Sequence, residues 1–294
     1  MVHRSGFVNI IGRPNVGKST LMNELVGEKL SVITPKAQTT RHRILGMVNS
    51  EDYQIVFSDT PGILNPAYKL QESMMINVSQ AFQDADIFLY VVELKENIEK
   101  SKEIIDRLNS TDIPVIVVIN KIDLDVEGEL KGIMEKWQEV LPSAHIIPVS
   151  ALEKFNVIKI NELILELLPE SPPYYSKDAL TDKSERFISS EIIREKILLL
   201  YKKEIPYSVE VEVESFKEKE DIIHISAVIY VERDSQKGIL IGSQGKQLKK
   251  VGSLARKDME KFFDKKIFLE LFVKVNKNWR NNDRELKRFG YIKK

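Results

Sequence analysis

A phosphate-binding loop is predicted near the start of the chain by the types and spacing of eight residues. An apolar run at 7–11 precedes this stretch and a helical pattern follows it. A glycine, four further residues and then Gly-Lys-Ser form the P-loop signature at such a strand-to-helix junction. Glycines let consecutive backbone N–H groups turn toward phosphate oxygens, and the positive end of the helix dipole adds to the attraction. The stretch comprises Gly12, Arg13, Pro14, Asn15, Val16, Gly17, Lys18 and Ser19.

Side chains at the end of this loop have the chemistry to bind a triphosphate together with Mg²⁺. Lys18 is expected to contact the β- and γ-phosphates and the Ser19 hydroxyl to ligate Mg²⁺, with Thr20 as the next nucleotide contact. A threonine in the polar segment that follows the helix is expected to complete the Mg²⁺ shell when a γ-phosphate is present. Thr40 is favoured over Thr39 because it directly precedes the basic residue that starts the next strand, and the sequence leaves both open.

A second phosphate-contacting segment is predicted directly after the apolar run that ends near residue 58. It comprises Asp59, Thr60, Pro61 and Gly62. The carboxylate can hold Mg²⁺ through water, and the N–H of Gly62 can donate to a γ-phosphate. A Pro-Gly pair alone is an ordinary turn signal, but at this distance after a P-loop it predicts a segment that contacts the γ-phosphate. We therefore assign Gly62 to catalysis together with Lys18 and Thr40.

Two later motifs predict that the base is guanine. Asp123 can accept from the guanine N1–H and exocyclic amine together, a pairing that adenine does not offer. Asn120 is expected to bond the base edge and brace the loop, and the stem of Lys121 to lie over the ring. A mismatched buried polar group costs ~1–3 kcal/mol, which is how such a site rejects adenine. The sequence Ser150, Ala151 and Leu152 completes the pocket, with the Ala151 N–H facing the guanine oxygen.

The elements that must position these motifs alternate between strands and helices through residue 170. Strands are predicted at 6–12, 43–49, 53–58, 86–93, 113–119 and 144–149, and helices at about 18–27, 70–83, 98–109, 126–140 and 156–168. The later strands are apolar nearly throughout, which is typical of a mostly parallel sheet covered by helices on both faces. Such sheets bind ligands at the carboxyl ends of their strands, where each motif falls. The fold class is therefore α/β.

A second domain with a different order of helices and strands is predicted after a proline-containing linker. A chain of 294 residues suggests about two domains, and we divide it into a domain at 1–170, a linker at 171–183 and a smaller α+β domain at 184–294. The second domain is predicted to run helix, strand, strand, helix, helix, strand, at about 184–203, 207–214, 222–231, 236–241, 246–263 and 266–275. A Gly-x-x-Gly loop between its two central helices would let a nucleic-acid backbone approach closely.

The residues around that loop form the predicted RNA-binding site. Small or flexible loop residues, following lysines and two isoleucines able to line a groove for unstacked bases are expected to act together. They are Ile239, Ile241, Gly242, Ser243, Gln244, Gly245, Lys246, Lys249 and Lys250. Trp279 in the C-terminal tail either stacks on a base or packs against the domain, and the sequence leaves both open.

The charge distribution supports a polyanionic partner for the second half. Residues 1–170 carry 17 basic and 24 acidic residues, a net charge of −7, whereas residues 171–294 carry 27 and 20, a net charge of +7. Residues 235–294 alone carry 17 basic and 6 acidic residues. On charge alone, a polyanionic partner and lysines that only aid solubility are about equally favoured. Together with the element order and the lysines that follow the Gly-x-x-Gly loop, the asymmetry predicts RNA binding. The alternative is a GTP-dependent switch whose basic domain docks on a membrane surface or a protein, and a second alternative is a GTP sensor that does not hydrolyse its ligand.

Composition indicates where the protein acts. The chain has no cysteine, which excludes a disulfide framework and a thiolate metal site. It has no apolar run of the ~18 residues that a membrane span requires, and no signal peptide is recognised at its start. We expect a cytoplasmic protein.

The motifs together resemble the Era family of ribosome-assembly GTPases, which is related to the translation-factor GTPases. The resemblance implies a P-loop GTPase domain followed by a type II KH domain, with Mg²⁺ and GTP or GDP as ligands. It implies that the protein binds the 3′ end of 16S ribosomal RNA during assembly of the 30S subunit, is a monomer and associates peripherally with the cell membrane. Ile63 occupies the position at which Ras-like enzymes have the water-positioning glutamine. The Era family shares this apolar replacement, so slow hydrolysis is expected. The family also suggests that Asn15 helps to hold K⁺ near the phosphates.

Overall fold

The computed structural model describes residues 2–292, which form two compact units. The first unit contains the residues up to Ser31 together with 40–65 and 74–182. The second contains residues from Lys183 onward together with the segments 32–39 and 66–73. The second unit therefore includes two short segments from the first 170 residues, which the sequence does not predict.

The first unit is built on a six-stranded sheet. Its strands are β1 (Arg4–Ile11), β2 (Ile44–Asn49), β3 (Tyr53–Asp59), β4 (Ile87–Glu93), β5 (Val115–Asn120) and β6 (His145–Pro148), in the order β2-β3-β1-β4-β5-β6. β2 pairs antiparallel with β3, and all other pairings are parallel. The prediction of a mostly parallel sheet is confirmed.

Helices accompany these strands in the alternating order that the sequence predicts. They are α1 (Lys18–Val26), α2 (Lys69–Gln83), α3 (Lys102–Asn109), α4 (Leu130–Val140) and α5 (Val157–Leu167). β5 is buried at every position and β4 at all but its last, because helices cover both faces of the sheet's centre. Trp137 of α4 packs edge-on against Tyr90 of β4 at 5.6 Å between ring centroids. This buried centre holds the strand ends that carry the motifs.

The predicted linker 171–183 does not extend freely, since most of it packs along the first unit. The Gln54 side chain of β3 accepts from the backbone N–H groups of Tyr174 and Tyr175 at 2.8 and 2.9 Å. Thr181 Oγ1 donates to the Leu45 carbonyl at 2.6 Å. Proline content identified an extended segment, but its long-range partners were not visible in the sequence.

The second unit has a three-stranded sheet with helices on one face. Its elements are α6 (Glu185–Leu200), α7 (Ile205–Ser208), β7 (Glu210–Glu218), β8 (Ile222–Val231), α8 (Asp234–Ile241), α9 (Lys246–Phe263), β9 (Lys266–Val275) and α10 (Asp283–Arg288). The strand order is β7-β8-β9, with β8 and β9 parallel over ten residue pairs. The short helices α7 and α10 were not predicted, and α7 moves the start of β7 from the expected 207 to Glu210.

A buried apolar cluster joins the helices of the second unit to its sheet. Alternate residues of β8, from Ile223 to Val231, face α6 and α9, whose Ile197 and Ala255 are fully buried. Trp279 is also fully buried, and its Nε1 donates to the Ser208 carbonyl at 3.0 Å. Of the two roles left open for Trp279, the structure supports packing, since a buried ring cannot stack on a base.

The segments 32–39 and 66–73 are held in the second unit by charged side chains. The buried guanidinium of Arg194 pairs with Glu191, with 2.7 Å between Nε and Oε1, and also donates to the Thr39 carbonyl. Lys69 forms an ion pair with Asp283 at 2.6 Å. Among residues 2–292, none of the helices has both the length and the apolar character needed to span a membrane.

Candidate functional site

The P-loop lies between β1 and α1, and its backbone leaves no room for side chains at two positions. Gly12 has φ +147° and a Cβ there would stand 2.3 Å from the Val91 carbonyl oxygen. Gly17 has φ +101° and a Cβ would stand 2.1 Å from Asn120 Nδ2. Both backbone conformations strongly favour glycine. The predicted glycines are therefore required both by the loop's positive φ angles and by the close approach of β4 and β5.

Lys18 is held inside the loop that it completes. Its Nζ donates to the carbonyls of Gly12 at 3.1 Å and Arg13 at 2.7 Å, and only 6% of the residue is exposed. Burial lowers the pKa of Lys18 from 10.5 to about 8, against the opposing effect of the carboxylates of Asp59 and Glu96. Anionic phosphates would stabilise the charged form in the same way.

Three oxygen-bearing side chains converge beside Lys18. Ser19 Oγ lies 2.7 Å from Asp59 Oδ2 and 2.9 Å from Thr40 Oγ1, and the Thr40 hydroxyl donates to Asp59 Oδ2 at 3.2 Å. The second carboxylate oxygen, Asp59 Oδ1, is buried without a hydrogen-bond partner. Burial raises the pKa of Asp59, and the nearby Lys18 opposes this. A hard cation prefers such oxygen ligands, so these residues fit Mg²⁺.

The geometry separates the two threonines that the sequence left open. Thr39 Oγ1 donates to the Lys36 carbonyl at 2.6 Å and lies 2.6 Å from Thr34 Oγ1. Only Thr40 is brought to Ser19 and Asp59. The favoured assignment of Thr40 to the cation thus has geometric support.

The segment after Asp59 lies directly on the P-loop. The Thr60 hydroxyl donates to the Ile10 carbonyl at 2.7 Å, and a Cβ on Gly62 would stand 2.7 Å from Pro14 Cα. The Ile63 N–H donates to the Gly12 carbonyl at 3.1 Å, while the Ile63 side chain packs against the core cluster that contains Tyr90. An apolar side chain packed in this way has no group with which to orient a water.

The two base-contacting motifs brace each other and the P-loop. Asn120 Nδ2 donates to the Val16 carbonyl at 2.9 Å, and the Ala151 N–H donates to Asn120 Oδ1 at 3.0 Å. Ser150 Oγ donates to Asp123 Oδ1 at 2.5 Å. The bracing role of Asn120 agrees with expectation, but the Ala151 N–H faces the Asn120 side chain rather than open space for a guanine oxygen. The exposed carboxylate of Asp123 is oriented by Ser150.

Glu93 is a site residue that the sequence analysis missed. Lys121 Nζ donates to the Asn15 carbonyl and to Glu93 Oε2, both at 2.7 Å. Lys121 has φ +64°, so its backbone is in the left-handed region. Glu93 ends β4 directly opposite Asn120 of β5. That register is the only signal for Glu93, and it depends on knowing which strands are neighbours.

The remaining P-loop residues surround the binding turn. Arg13 Nη1 donates to the Lys100 carbonyl at 3.2 Å. Asn15 has φ +67°, and Thr20 is half-buried on the first turn of α1. Leu152 is 72% exposed beside the predicted base pocket.

The Gly-x-x-Gly loop of the second unit connects α8 to α9. Gly242 has φ +70°, and a Cβ would stand 2.6 Å from Gln247 Cγ. Gly245 has φ +74° and faces open space. Gln244 between them also has a positive φ, +52°. Ser243 and Gln244 are exposed, so this turn presents backbone to solvent at the start of α9, where the helix dipole favours anions.

A groove of about 360 Å³ opens beside this loop, between α9 and β9. Its lining combines apolar side chains with two cations: Gly245, Leu248, Lys249, Gly252, Ser253, Arg256, Leu269 and Leu271. Ile239 and Ile241, which we expected to line the groove, are absent from this lining. Ile241 packs against the core and Ile239 is half-exposed on α8. The signal available in the sequence was helical spacing: residues 248/249, 252/253 and 256 lie on one face of α9.

Comparison with known proteins places both units. A family described as a 50S ribosome-binding GTPase matches residues 7–121, and the KH domain family matches residues 204–280. The chain is 36% identical to Era in a crystal structure with MgGDPNP and nucleotides 1506–1542 of 16S ribosomal RNA, with a TM-score of 0.93 over 99% of this chain and 100% of that one. It is 37% identical to an Era variant from Aquifex aeolicus bound to GDP and AlF4⁻, with the same TM-score and coverage.

Replacing Thr40 with Val is expected to weaken binding of a Mg²⁺-bound GTP analogue by ~5- to 150-fold, because a lost polar contact to a charged group costs ~1–3 kcal/mol. Binding of GDP should change little, since the Thr40 hydroxyl is expected to complete the Mg²⁺ shell only with a γ-phosphate. Titrating Mg²⁺ against a fluorescent analogue measures the effect.

Thr39→Val is the matched control and should stay within ~3-fold of the wild type, because its hydroxyl bonds to Lys36 and Thr34. Equal losses in the two variants would contradict the assignment of Thr40.

Replacing Glu93 with Gln is expected to weaken GTP and GDP binding alike by ~2- to 5-fold, with kcat unchanged. The Glu93–Lys121 pair is partly exposed, and such pairs contribute ~0.2–1 kcal/mol. Nucleotide dissociation constants and steady-state kinetics separate the two effects. Glu99→Gln, an exposed carboxylate on the same connection, should leave both unchanged. A lower kcat at unaltered affinity would show that Glu93 does not act through Lys121.

Proposed function

The chain belongs to the Era family of GTPases, and from that premise we propose that it binds the 3′ end of 16S ribosomal RNA during assembly of the 30S ribosomal subunit. The full-length identity of 36% to Era, with 99% of the chain aligned, carries the family assignment. The observation that carries the RNA proposal is the groove beside Gly242–Gly245. It combines a backbone turn at a helix N-terminus, two cations and apolar walls.

The protein is a GTPase, and its residues divide the reaction among them. Lys18 and the P-loop N–H groups would stabilise phosphoryl charge. Ser19 and Thr40 would hold Mg²⁺, with Asp59 behind them through water, and the bound ion would neutralise charge on the phosphates. Water is the nucleophile that attacks the γ-phosphate. Catalysis therefore rests mainly on positioning and charge stabilisation.

We propose slow intrinsic hydrolysis. The Ile63 side chain packs against the core and carries no hydrogen-bonding group, so no side chain at this position orients the attacking water in the manner of the Ras glutamine.

We propose that the bound RNA belongs to the small ribosomal subunit. The family matched by residues 7–121 is described by binding to the 50S ribosome, whereas the Era structure that aligns with the whole chain contains 16S ribosomal RNA. The full-length alignment includes the KH domain, which is the part expected to contact RNA. For this reason we favour 16S ribosomal RNA and the 30S subunit. We also propose that the protein is a cytoplasmic monomer that associates peripherally with the cell membrane.

We further propose that the nucleotide state alters RNA affinity. Thr40 is a predicted Mg²⁺ ligand, and the carbonyl of the preceding residue, Thr39, accepts from the buried Arg194 of α6. Movement of Thr40 toward a γ-phosphate would change the position of this carbonyl. The segment 32–39 would thereby transmit the change to the unit that contains the groove.

Replacing Gly242 with Asp is expected to reduce RNA binding at least ~10-fold. The new side chain would meet Gln247 and would place a negative charge where a phosphate approaches. Crosslinking to total cellular RNA in the GTP and GDP states measures the effect, and sequencing of the crosslinked RNA tests the 16S assignment.

Gly132→Asp is the matched control, because Gly132 lies on α4 with open space around its Cβ position. That variant should keep the wild-type RNA profile, and both variants should keep GTP binding. An unchanged profile for Gly242→Asp would remove the Gly-x-x-Gly loop from the proposed function.

Potassium is expected to accelerate turnover at least ~10-fold over sodium, because a cation near the phosphates would supply transition-state charge stabilisation. Asn15 has φ +67° on the exposed arm of the P-loop, and Asn15→Ala should remove the preference for K⁺. Phosphate release in matched KCl and NaCl buffers measures it. Equal turnover in the two salts would exclude a role for K⁺.

A further inference from the structure

Exposed apolar side chains are concentrated on the two segments of the first unit that carry the base-contacting motifs. One segment follows β5 and the other follows β6. The exposed fractions of these residues lie between 54% and 93%. Single apolar residues are common on protein surfaces, but a group of them marks an interaction site. We name this group the base-side patch: Leu124, Val126, Leu152, Phe155 and Ile158.

Hydrogen bonds hold the two segments of the patch together. Ser150 Oγ of the second segment donates to Asp123 Oδ1 of the first at 2.5 Å. The backbones of Ser150 and Phe155 exchange two hydrogen bonds, at 3.3 and 3.0 Å. Leu124 directly follows Asp123, and Ile158 lies on the first turn of α5, three residues after Phe155. The members of the patch are therefore held around one hydrogen-bonded junction.

A bound guanine base does not account for the whole patch. Leu152 lies beside the predicted base pocket, but Val126 follows Asp123 by three residues and Ile158 follows Ala151 by seven. Val126 and Ile158 thus lie beyond the motifs to which we assign base contacts. A ligand other than the nucleotide would be required to remove their side chains from water.

Carboxylates surround the patch and lack cationic partners. Asp125 accepts from the backbone N–H groups of Glu129 and Leu130 at 3.1 and 3.2 Å, which caps the start of α4. Within the described range 2–292, none of the surrounding carboxylates forms an ion pair with a lysine or arginine. These carboxylates belong to Asp123, Asp125, Glu127, Glu129 and Glu153.

Cations around the patch are fewer than these carboxylates. Lys154 is paired with Glu24 at 2.8 Å. Lys131 and Lys159 are exposed, and they follow the two segments at the starts of α4 and α5. The surface therefore combines apolar side chains with an excess of negative charge.

We infer that the base-side patch binds a basic segment of a protein partner, whose own apolar side chains cover the patch, and that this binding speeds nucleotide release. The inference goes beyond the proposed RNA-binding function. Lysine and arginine side chains of such a segment would pair with the carboxylates around the patch. Charge complementarity of this kind also accelerates association.

The same charges argue against the other classes of ligand. RNA phosphates and the anionic headgroups of a membrane would both be repelled by the carboxylates that surround the patch. Binding sites for single-stranded RNA place cations next to several aromatic rings, whereas Phe155 is the one aromatic member of the patch. A basic protein segment satisfies both the charge and the apolar surface.

The junction that holds the patch also connects it to the nucleotide. The Ala151 N–H donates to Asn120 Oδ1, and Asn120 Nδ2 donates to the Val16 carbonyl of the P-loop. A partner that moves the turn at 150–155 would displace Ser150, which orients Asp123. GDP and GTP share the guanine base, so the affinity for both should fall. Reciprocity then requires bound nucleotide to weaken partner binding by the same factor.

The first experiment identifies the partner in cells that express the full-length protein. A photoreactive amino acid replaces Val126 or Ile158, and the matched control position is Ile76, an exposed isoleucine of α2. The partner should be crosslinked from positions 126 and 158 but not from position 76. It should be a basic protein.

The second experiment adds the purified partner to the protein loaded with fluorescent GDP. The partner should accelerate GDP release at least ~10-fold from the wild type and from Ile76→Ser, but not from Val126→Ser/Ile158→Ser. Glu127→Gln/Glu129→Gln should bind the partner less tightly, and salt should weaken partner binding by the wild type more than by this variant. Nucleotide-free protein should bind the partner at least ~10-fold more tightly than the GDP form. Without the partner, all variants should keep the GDP affinity of the wild type.

Other results overturn the inference in distinguishable ways. If no protein is crosslinked from positions 126 and 158, or if position 76 gives the same proteins, the patch has no specific partner. If the crosslinked protein is a second copy of this chain and light scattering shows a dimer, the patch serves self-association. If only RNA is crosslinked, the charge argument is wrong. A partner that binds at the patch without changing GDP release would remove its role in exchange. None of these results affects the proposed RNA-binding function, which Gly242→Asp tests separately.

Discussion

Burial of opposite charges is the constraint on which the nucleotide site depends. Asp59 is fully buried and Lys18 nearly so, and removing an ion from water costs several kcal/mol even after relaxation. Hydrogen bonds from Ser19 and Thr40 to Asp59, and from Lys18 to two loop carbonyls, offset part of this cost. The remainder is visible as the partnerless Asp59 Oδ1 and the lowered pKa of Lys18. Mg²⁺ and phosphate oxygens would supply the missing partners, so the residues present fit a ligand that brings its own charges.

The two units use the same physical device for polyanions. In each, a turn with glycine at positive φ precedes a helix, and a side chain at that glycine would collide with a neighbour, Asn120 for Gly17 and Gln247 for Gly242. Backbone N–H groups and the helix dipole then face the ligand without an intervening side chain. The surroundings differ. The P-loop is braced by Lys121 and Asn120, whereas the second loop lies beside an open groove lined by α9 and β9.

The segment 32–39 is proposed to transmit the nucleotide state to the second unit because its last residue, Thr39, directly precedes Thr40. The Thr40 hydroxyl donates to Asp59, while the Thr39 carbonyl accepts from Arg194. Arg194 is itself fixed by Glu191 in a buried pair. A movement of Thr40 would therefore shift the neighbouring carbonyl to which the buried Arg194 donates.

Features that depend on neighbouring residues are predictable from the amino-acid sequence. The P-loop, the strand-end motifs, the alternation of the first unit and the Gly-x-x-Gly turn each follow from residue types within a few positions, because φ, helix dipoles and hydrophobic periodicity act locally. Helix α9 and strands β8 and β9 were predicted to the residue for this reason.

Contacts between residues distant in sequence became evident from the folded structure. It brought Thr40 rather than Thr39 to Asp59, set Glu93 beside Lys121 through the register of β4 and β5, and buried Trp279. It also replaced Ile239 and Ile241 in the groove by residues of α9 and β9, and fastened the proline-containing linker to β2 and β3. Each outcome depends on which strands and helices become neighbours, and that choice is made by packing of the whole core. The P-loop can therefore be recognised from eight residues. The side chains that orient it, Asn120 and Lys121, lie about a hundred residues away in the chain.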